Sequence, residues 1–250
     1  MKIATYNLRF GGKSGHRIHW RKVLDNINPD IFLVQETLPP QTYVSADFYQ
    51  AARSQFHWRA VSERPWGSAI YVSKGQVVPL PPLSVGFSGW VTGAKVSGCG
   101  WPLGDSQSLY IYSVHAPSIG SSYVKQMNLI LDSIKEQIPA DSMVIIGGDF
   151  NLTVGLRHPS EALQQNCSKL MARFRQEFGL MNCWQMVHPN QDLPQTLRWS
   201  NDKTKPYHCD GIFAPACWYR YLENAEVLSD DSWHGLSDHN PITASFVFPL

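Results

Sequence analysis

The sequence carries little charge, and neither sign of charge is in excess. Asp, Glu, Lys and Arg make up 16% of its 250 residues, against roughly 25% in average soluble proteins. The formal net charge at pH 7 is +1, which excludes a polybasic protein that holds a polyanion through its overall electrostatic field. A polyanionic partner would have to be bound by a local site.

The sequence also lacks the cysteine pattern of a disulfide-linked or zinc-binding protein. Its five cysteines are scattered, odd in number and without a C-x-x-C pair, which argues for a reducing compartment and against a disulfide framework. Cys209 and Cys217 are the closest two, and their spacing fits no common zinc motif. We therefore predict buried free thiols at both positions.

Neither a membrane span nor a leader peptide is visible. No stretch approaches the ~20 apolar residues that cross a bilayer, and the residues after Met1 enter an apolar strand pattern without a cleavage site. The sequence therefore predicts a cytoplasmic protein with no membrane partner, and no segment of it indicates a protein partner.

What the sequence does contain is enough apolar surface for a folded α/β protein. Hydrophobic residues make up 43% of the chain, which excludes intrinsic disorder, and about 250 residues can fold as one large domain. No shift in composition marks a boundary, so residues 1–250 are predicted to form a single domain.

Helical and strand-like patterns alternate along the chain. The first unit is a strand, a helix and a strand, at 1–6, 20–27 and 31–34. The Pro-rich residues 78–82 are predicted to connect two strands, and residues 102–107 and 155–166 to form exposed loops. Further helices are predicted at 121–138 and 163–178, and further strands at 56–61, 68–72, 90–96, 108–114, 143–146, 196–199, 209–213, 225–228 and 242–247.

Six short polar signatures follow predicted strands or fill turns, where α/β folds place their sites. Singly, each has an ordinary structural explanation: Asn7 and Glu36 can cap local segments, His115 can be a core histidine, and the adjacent Asp238-His239 can form a loop hydrogen bond. The signatures are Thr5-Tyr6-Asn7, Val34-Gln35-Glu36, Val114-His115-Ala116-Pro117, Gly148-Asp149-Phe150-Asn151, His208-Cys209-Asp210 and Ser237-Asp238-His239-Asn240-Pro241.

The segment around Asp149 has the most suggestive spacing. Asp149 and Asn151 are two residues apart, so in an extended segment their side chains point the same way. Gly147 and Gly148 before them permit a tight turn and a close approach of the backbone to a ligand. An Asx-turn without any ligand is the alternative.

Together the signatures supply oxygen ligands for a divalent cation. Glu36, Asp149 and Asp238 offer carboxylates, while Asn7 and Asn151 offer carboxamides, and such hard oxygen donors suit Mg²⁺ or Mn²⁺.

Two histidines and one more carboxylate extend this set. His115 and His239 can hydrogen-bond phosphate oxygens or transfer protons, and Asp210 can orient one of them. Divalent metal, carboxylates and histidine together meet the needs of phosphoester hydrolysis: a neutralised phosphate, an activated water and a stabilised leaving oxygen.

In this order along the chain, the signatures resemble those of the metal-dependent endonuclease/exonuclease/phosphatase superfamily, which includes deoxyribonuclease-I-like nucleases and abasic-site endonucleases. The resemblance runs from Tyr6-Asn7 to residues 237–241. It implies an α/β fold, a four-layer α/β sandwich in which two packed mixed β-sheets are flanked by helices, with the site in a cleft at one edge of the sheets.

The resemblance also implies a metal site and its ligands. Glu36 is expected to be the principal ligand of Mg²⁺ or Mn²⁺, assisted by Asn7 and Asp238. Asp149 and Asn151 are expected to position the attacking water and the phosphate.

The remaining roles follow from the same resemblance. His239 and Asp210 resemble the family's histidine–aspartate pair, and His115 resembles the second histidine of deoxyribonuclease-like members. Whether His239 or Asp149 accepts the proton of the attacking water stays open. Arg9 is a candidate phosphate contact, with an exposed structural arginine as the alternative.

Several segments of the sequence bear on the subfamily. Leu152-Thr153 and His208-Cys209-Asp210-Gly211 depart from the pattern of inositol polyphosphate phosphatases. Arg198-Trp199 and residues 203–207 offer a modest version of the basic, aromatic approach of abasic-site endonucleases. Trp199 is therefore a candidate to stack on bases, and packing in the core or in a lid is its alternative. The same two possibilities apply to Trp66, Trp90 and Trp101.

The sequence thus predicts a divalent-metal-dependent phosphodiester hydrolase, with a nuclease acting on DNA or RNA as the leading hypothesis. One alternative is a hydrolase of a small phosphoester or a phospholipid head group. Another is a non-catalytic member that binds nucleic acid or protein through the same cleft, although the intact metal and histidine positions argue against it.

Overall fold

The computed structural model describes residues 1–12, 17–99, 108–118, 120, 122–155, 165–199 and 207–249. The predictions for residues 102–107, for Trp101, for residues 203–206 and for most of 155–166 lie outside these ranges. Within them, no helix is both long enough and apolar enough to cross a membrane.

The described strands form two six-stranded mixed sheets. The first sheet has the order β11-β12-β1-β2-β4-β3 and the second the order β5-β6-β7-β8-β10-β9. The pairs β1/β2 and β7/β8 are parallel, and the remaining pairs are antiparallel. The strands are β1 Lys2–Asn7, β2 Ile31–Thr37, β3 Phe56–Ala60, β4 Gly67–Val72, β5 Gln76–Pro79, β6 Val91–Ser97, β7 Leu109–His115, β8 Met143–Asp149, β9 Leu180–Asn182, β10 Asp210–Pro215, β11 Leu222–Val227 and β12 Ile242–Phe246.

Helices flank the two sheets. They are α1 His19–Asn26, α2 Ala46–Ala51, α3 Tyr123–Gln137, α4 Gln165–Phe178, α5 Cys183–Val187 and α6 Asp231–His234.

The first sheet is covered on both faces, as the composition of β2 requires. Ile31 and Leu33 point toward the second sheet and pack in the cluster between the two sheets. Phe32 and Val34, on the opposite face, pack with Trp20 of α1. Alternate residues of a strand point to opposite faces, so an uninterrupted apolar run is what a strand buried on both faces needs.

The second sheet buries its outer face against α3 and α4. Tyr112 and Val114 of β7 pack there with Met127 of α3 and Phe174 of α4, and the Phe174 ring stacks on that of Phe213 with a centroid separation of 4.0 Å. Helix, sheet, sheet and helix make four layers. The predicted four-layer α/β sandwich is therefore confirmed.

Two element predictions are wrong. Val78 and Pro79 do not belong to a connection but end β5, which pairs with β6 at the edge of the second sheet. An edge strand tolerates proline because one side of it needs no N–H donors. Residues 196–199 form only isolated bridges at Leu197 rather than a strand.

Gly147 and Gly148 lie inside β8, and the tight turn predicted there does not form. Gly148 has φ of 146°, and a Cβ atom on it would lie 1.9 Å from the backbone oxygen of Val114 on the neighbouring strand. The glycine therefore allows the close approach of the neighbouring strand.

This contact leads to a stability prediction for Gly148→Ala. We expect the free energy of unfolding to fall by about 3 kcal/mol or more, because the methyl group clashes with backbone and the residue adopts a φ that side chains disfavour. Gly86→Ala is the matched control, since nothing lies within 4 Å of its added Cβ. Urea unfolding of both variants measures the difference in their free energies of unfolding. Equal stability of the two would contradict the conclusion that the close approach of the Val114 backbone requires a glycine at position 148.

The topology brings the polar signatures to one edge of the paired sheets. Asn7 ends β1 beside Gln35 of the parallel strand β2. His115 ends β7 opposite Asp149, which ends the parallel strand β8. Asp210 begins the antiparallel strand β10, also opposite Asp149. The carboxyl ends of two parallel pairs therefore meet where the two sheets face each other.

Candidate active site

Asn7 joins carboxylates that come from the two different sheets. Its Nδ2 donates hydrogen bonds of 2.9 Å to both Glu36 Oε1 and Asp149 Oδ2. The other oxygen of each carboxylate accepts from backbone: Glu36 Oε2 from Phe10 N at 3.0 Å, and Asp149 Oδ1 from Asn151 N at 2.9 Å. Both carboxylates are buried, and these bonds fix their orientation.

Two imidazoles flank Asp149. His115 Nε2 lies 3.5 Å from Glu36 Oε1 and 3.8 Å from Asp149 Oδ2. On the other side, His239 Nε2 lies 3.7 Å from Asp149 Oδ2. The opposite ring nitrogen, His239 Nδ1, is 2.9 and 3.0 Å from the two oxygens of Asp210. The structure thus forms the predicted histidine–aspartate pair and directs the Nε2 of His239 toward Asp149.

The carboxylates around His239 control its pKa. Burial alone would lower the pKa of this imidazole, but the charges of Asp210 and Asp149, together with the Asp210 hydrogen bond, outweigh it and raise the pKa to about 10. Negative charge is therefore in excess at this end of the site. A bound cation would relieve that excess and lower the pKa of His239, whose ring must lose a proton before Nε2 can act as a base.

Asp238 and Arg9 pair with each other. The guanidinium Nε of Arg9 lies 3.2 Å from Asp238 Oδ2, and the Arg9 side chain is about half exposed. Asp238 Oδ1 is buried and has no hydrogen-bond partner among the described residues. The arrangement leaves Arg9 accessible to an anion and leaves one oxygen of Asp238 open to a further donor or cation.

Asn151 lies next to Asp149 in a backbone conformation that the sequence did not predict. Its φ is 53°, so the segment is not extended, and the premise for parallel Asp149 and Asn151 side chains is wrong. Its backbone N–H bonds Asp149 in an Asx-turn, while its Nδ2 donates to Ala116 O at 3.0 Å. The two residues are neighbours, but through a left-handed turn.

Arg198 is the main functional residue that sequence reasoning misread. It does not form part of a basic surface, because its side chain is buried. The guanidinium donates to Ser237 O at 2.6 Å, to His239 O at 3.2 Å and to the side chain of Asn240. Arg198 therefore positions the loop that carries Asp238 and His239. Its neighbour Trp199 is 60% exposed, and the described contacts do not connect it to the carboxylates.

A second missed feature is a polar network directly beneath the carboxylates. Gln35 Nε2 donates to Ser113 Oγ at 2.9 Å, and Ser113 Oγ donates to Val34 O at 3.0 Å. Thr5 Oγ1 lies 3.3 Å from Gln35 Oε1. Because buried polar groups need partners, Gln35 within an apolar strand pattern was the available signal. The network connects the two sheets next to the site.

The prediction of buried free thiols is correct for Cys209 and wrong for Cys217. Cys209 is buried, and its Sγ lies 3.6 Å from Asp210 Oδ2, where burial and the nearby Asp149 charge raise the pKa of the thiol. Cys217, in contrast, is exposed on the 3₁₀ segment Ala216–Tyr221. Apolar spacing could not place it because this short segment buries only Trp218.

The site fits a divalent cation. Ligand atoms of Glu36, His115 and Asp149 all lie within 4.8 Å of one another and are buried. Adjacent buried carboxylates repel one another unless positive charge lies between them, and Asp238 Oδ1 lacks a partner among the described residues. A second such group, Asp149, Cys209, Asp210 and His239, includes a protonated thiol and is the poorer match for a hard ion.

Metal-dependent phosphoester hydrolases are the class of protein that this fold and this donor set define. The sequence profile of the Endonuclease/Exonuclease/phosphatase family matches residues 4–220. Most of the chain is covered by this match, and the chain belongs to that family. No curated protein sequence matches the chain.

Solved structures with the same architecture include an AP endonuclease and a 3′ phosphatase. An AP endonuclease from Archaeoglobus fulgidus matches with a TM-score of 0.70 and 17% identity, over 99% of this chain and 100% of that one. The 3′ phosphatase NExo from Neisseria, bound to a product DNA hairpin, matches with a TM-score of 0.67 and 20% identity, again over 99% and 100%. The APE2 catalytic domain from Xenopus laevis matches with a TM-score of 0.69 and 15% identity, over 98% and 91%. These likenesses establish the fold.

Proposed function

We propose that this protein is a Mg²⁺- or Mn²⁺-dependent nuclease that hydrolyses phosphodiester bonds of DNA or RNA, with residues 1–250 acting as one catalytic domain. The single observation that carries the proposal is the position of Asp149. Its carboxylate is bonded through Asn7 to Glu36 and is flanked by the Nε2 atoms of His115 and His239. Similar structures that include an AP endonuclease and a DNA-bound 3′ phosphatase support nucleic acid as the substrate class.

Glu36, Asn7 and Asp238 would hold the metal. Asn7 Oδ1 accepts one bond from Arg9 N, and a carbonyl oxygen has a second lone pair. All three donors are oxygens, which favours Mg²⁺ or Mn²⁺ over a thiophilic ion. When bound, the ion supplies charge neutralisation at the phosphate and a more acidic water.

The chain's own residues orient the reacting groups. Asp149 and Asn151 position the attacking water and the phosphate. Asp210 fixes the orientation of the His239 ring, so that Nε2 is the nitrogen that exchanges a proton or contacts phosphate. His115 contacts the phosphate from the opposite side. Arg9, half exposed beside Asp238, contacts a phosphate oxygen, and Trp199 offers an exposed ring to the nucleic acid.

We propose a cytoplasmic location because of the state of the cysteines. All five are free thiols, which agrees with a reducing compartment.

The proposed function is tested with a substrate panel of duplex DNA, DNA with an abasic site, RNA and a small phosphodiester, each with Mg²⁺, with Mn²⁺ or with EDTA. We expect metal-dependent cleavage of at least one nucleic acid. Turnover of the small phosphodiester alone would indicate a different substrate class. Binding of nucleic acid without turnover in either metal would indicate a non-catalytic member of the family.

A further inference from the structure

Phe10 has an exposed aromatic ring, and its backbone N–H bonds Glu36 of the candidate metal site. It is 61% exposed and follows Arg9 in the turn after β1. An isolated exposed apolar side chain is ordinary on a protein surface. The placement of this ring, and not its exposure alone, is what indicates a function.

The backbone of this turn is held against the site residues. Arg9 and Phe10 both have positive φ, 55° and 54°, a conformation that few residues other than glycine adopt. Phe10 N donates to Glu36 Oε2 at 3.0 Å, and Arg9 N donates to Asn7 Oδ1 at 2.8 Å. The Cα of Phe10 therefore has a fixed position relative to Glu36, the proposed principal metal ligand.

Phe10 is also the outer end of an aromatic row that begins at His115. The ring centroids of Trp90 and His115 are 5.0 Å apart, those of Trp66 and Trp90 are 5.4 Å apart, and those of Phe10 and Trp66 are 5.5 Å apart. Trp66 is buried. One side of the Phe10 ring is therefore supported by the row, while the ring itself remains largely exposed to solvent.

A cavity of about 290 Å³ opens beside Phe10. Arg9, Phe10, Gly12 and residues 234–238 line it. The cavity thus combines a cation that can bind a phosphate with an exposed ring on the adjacent residue that can stack on a base. Phosphate contacts position a nucleic acid, and aromatic stacking holds its bases without regard to sequence.

We propose that Phe10 stacks on an unpaired base next to the scissile phosphate and makes the enzyme prefer nucleic acid with unpaired bases over base-free phosphodiesters. This inference rests on the proposed nuclease function. An unpaired base is the fitting partner, because the bases inside a duplex are already stacked on their neighbours and must be extruded before a side chain can cover them.

The test compares two single-stranded oligonucleotides of equal length, one with normal bases and one built of base-free tetrahydrofuran units. For Phe10→Ala we expect KM on the base-bearing strand to rise roughly 5- to 140-fold, the range that base–aromatic stacking provides. We expect a much smaller rise on the base-free strand. Phe10→Tyr should restore KM because it retains the ring, and kcat should change less than KM throughout.

Phe48→Ala is the matched control. Phe48 is also exposed, at 38%, but lies on α2, and its loss should leave both KM values close to wild type. Equal effects of Phe10→Ala on the two strands, or an unchanged KM on the base-bearing strand, would overturn the stacking proposal alone. A wild-type protein that hydrolyses only a small phosphodiester would overturn the nuclease function and the stacking proposal together.

Discussion

Glu36→Gln should lower the rate of phosphodiester hydrolysis by orders of magnitude, and a higher Mg²⁺ concentration should restore part of it. The substitution keeps the shape of the side chain but removes the charge that anchors the cation. It also disturbs a polar set in which Glu36 accepts from Asn7 Nδ2 and from Phe10 N. Initial rates measured over a wide range of Mg²⁺ concentrations would display the shifted metal dependence.

Thermal unfolding provides a readout of the same site that does not depend on activity. A ligand that binds only the folded state raises its stability according to the ratio of ligand concentration to Kd. Mg²⁺ or Mn²⁺ should therefore raise the Tm of the wild type and raise that of Glu36→Gln less. Glu226→Gln, an identical change at an exposed position on β11, should behave like the wild type. Full activity of Glu36→Gln at low Mg²⁺ would show that Glu36 only caps the local segment.

His239→Ala should reduce turnover by ~10²–10⁴-fold, the usual contribution of a proton-transferring side chain. The imidazole is held by Asp210 on one side and faces Asp149 at 3.7 Å on the other. Asp210→Asn should cost less, because it alters the orientation and charge of the ring but leaves the ring in place. His115→Ala should also impair turnover, since two histidines flanking one phosphate share its charge stabilisation.

The increase in Tm on adding Mg²⁺ should persist in His239→Ala, which separates loss of proton transfer from loss of metal. His188→Ala is a control for the removal of an imidazole. The Nε2 atom of His188 lies 2.8 Å from the Ala225 carbonyl oxygen on β11 and not among the site carboxylates, so the turnover rate of this variant should stay close to that of the wild type. His239→Ala could instead keep more than about a tenth of the activity, a loss of rate smaller than a proton-transferring residue causes. Asp149 would then become the preferred general base. The His239–Asp210 pair would then serve to hold the loop.

Much of the architecture could be predicted because it depends on local pattern. The apolar run Ile31–Val34 is buried on both sides, as a central strand of a covered sheet must be, and its end placed Glu36 at the correct edge. The parallel pairing of β1 with β2 followed from the strand–helix–strand order. Together these placed Asn7 and Glu36 at one edge of a sheet before any distance was known, and the resemblance to the family added His115 and Asp149.

The features that sequence analysis mispredicted or missed depend on contacts between residues far apart in the sequence. Arg198 has the composition of a surface contact, and only the carbonyls of Ser237 and His239, about forty residues later, make it a buried support. Gly148 needs its φ because of Val114 on the neighbouring strand. In the sequence Phe10 is an ordinary apolar residue, and only the structure shows the aromatic row that connects it to His115. No local pattern encodes these contacts.

We propose that this buried carboxylate–histidine site hydrolyses nucleic acid with the help of a divalent cation. The most direct test is cleavage of end-labelled oligonucleotides, namely single-stranded, duplex and abasic-site DNA and RNA, by the wild-type protein. Each is incubated in Mg²⁺ or Mn²⁺, after addition of EDTA, and after excess metal is returned. We expect cleavage that stops with EDTA and resumes with the returned metal. Cleavage that continues in EDTA, or no cleavage of any of these nucleic acids in either metal, would contradict the proposed function.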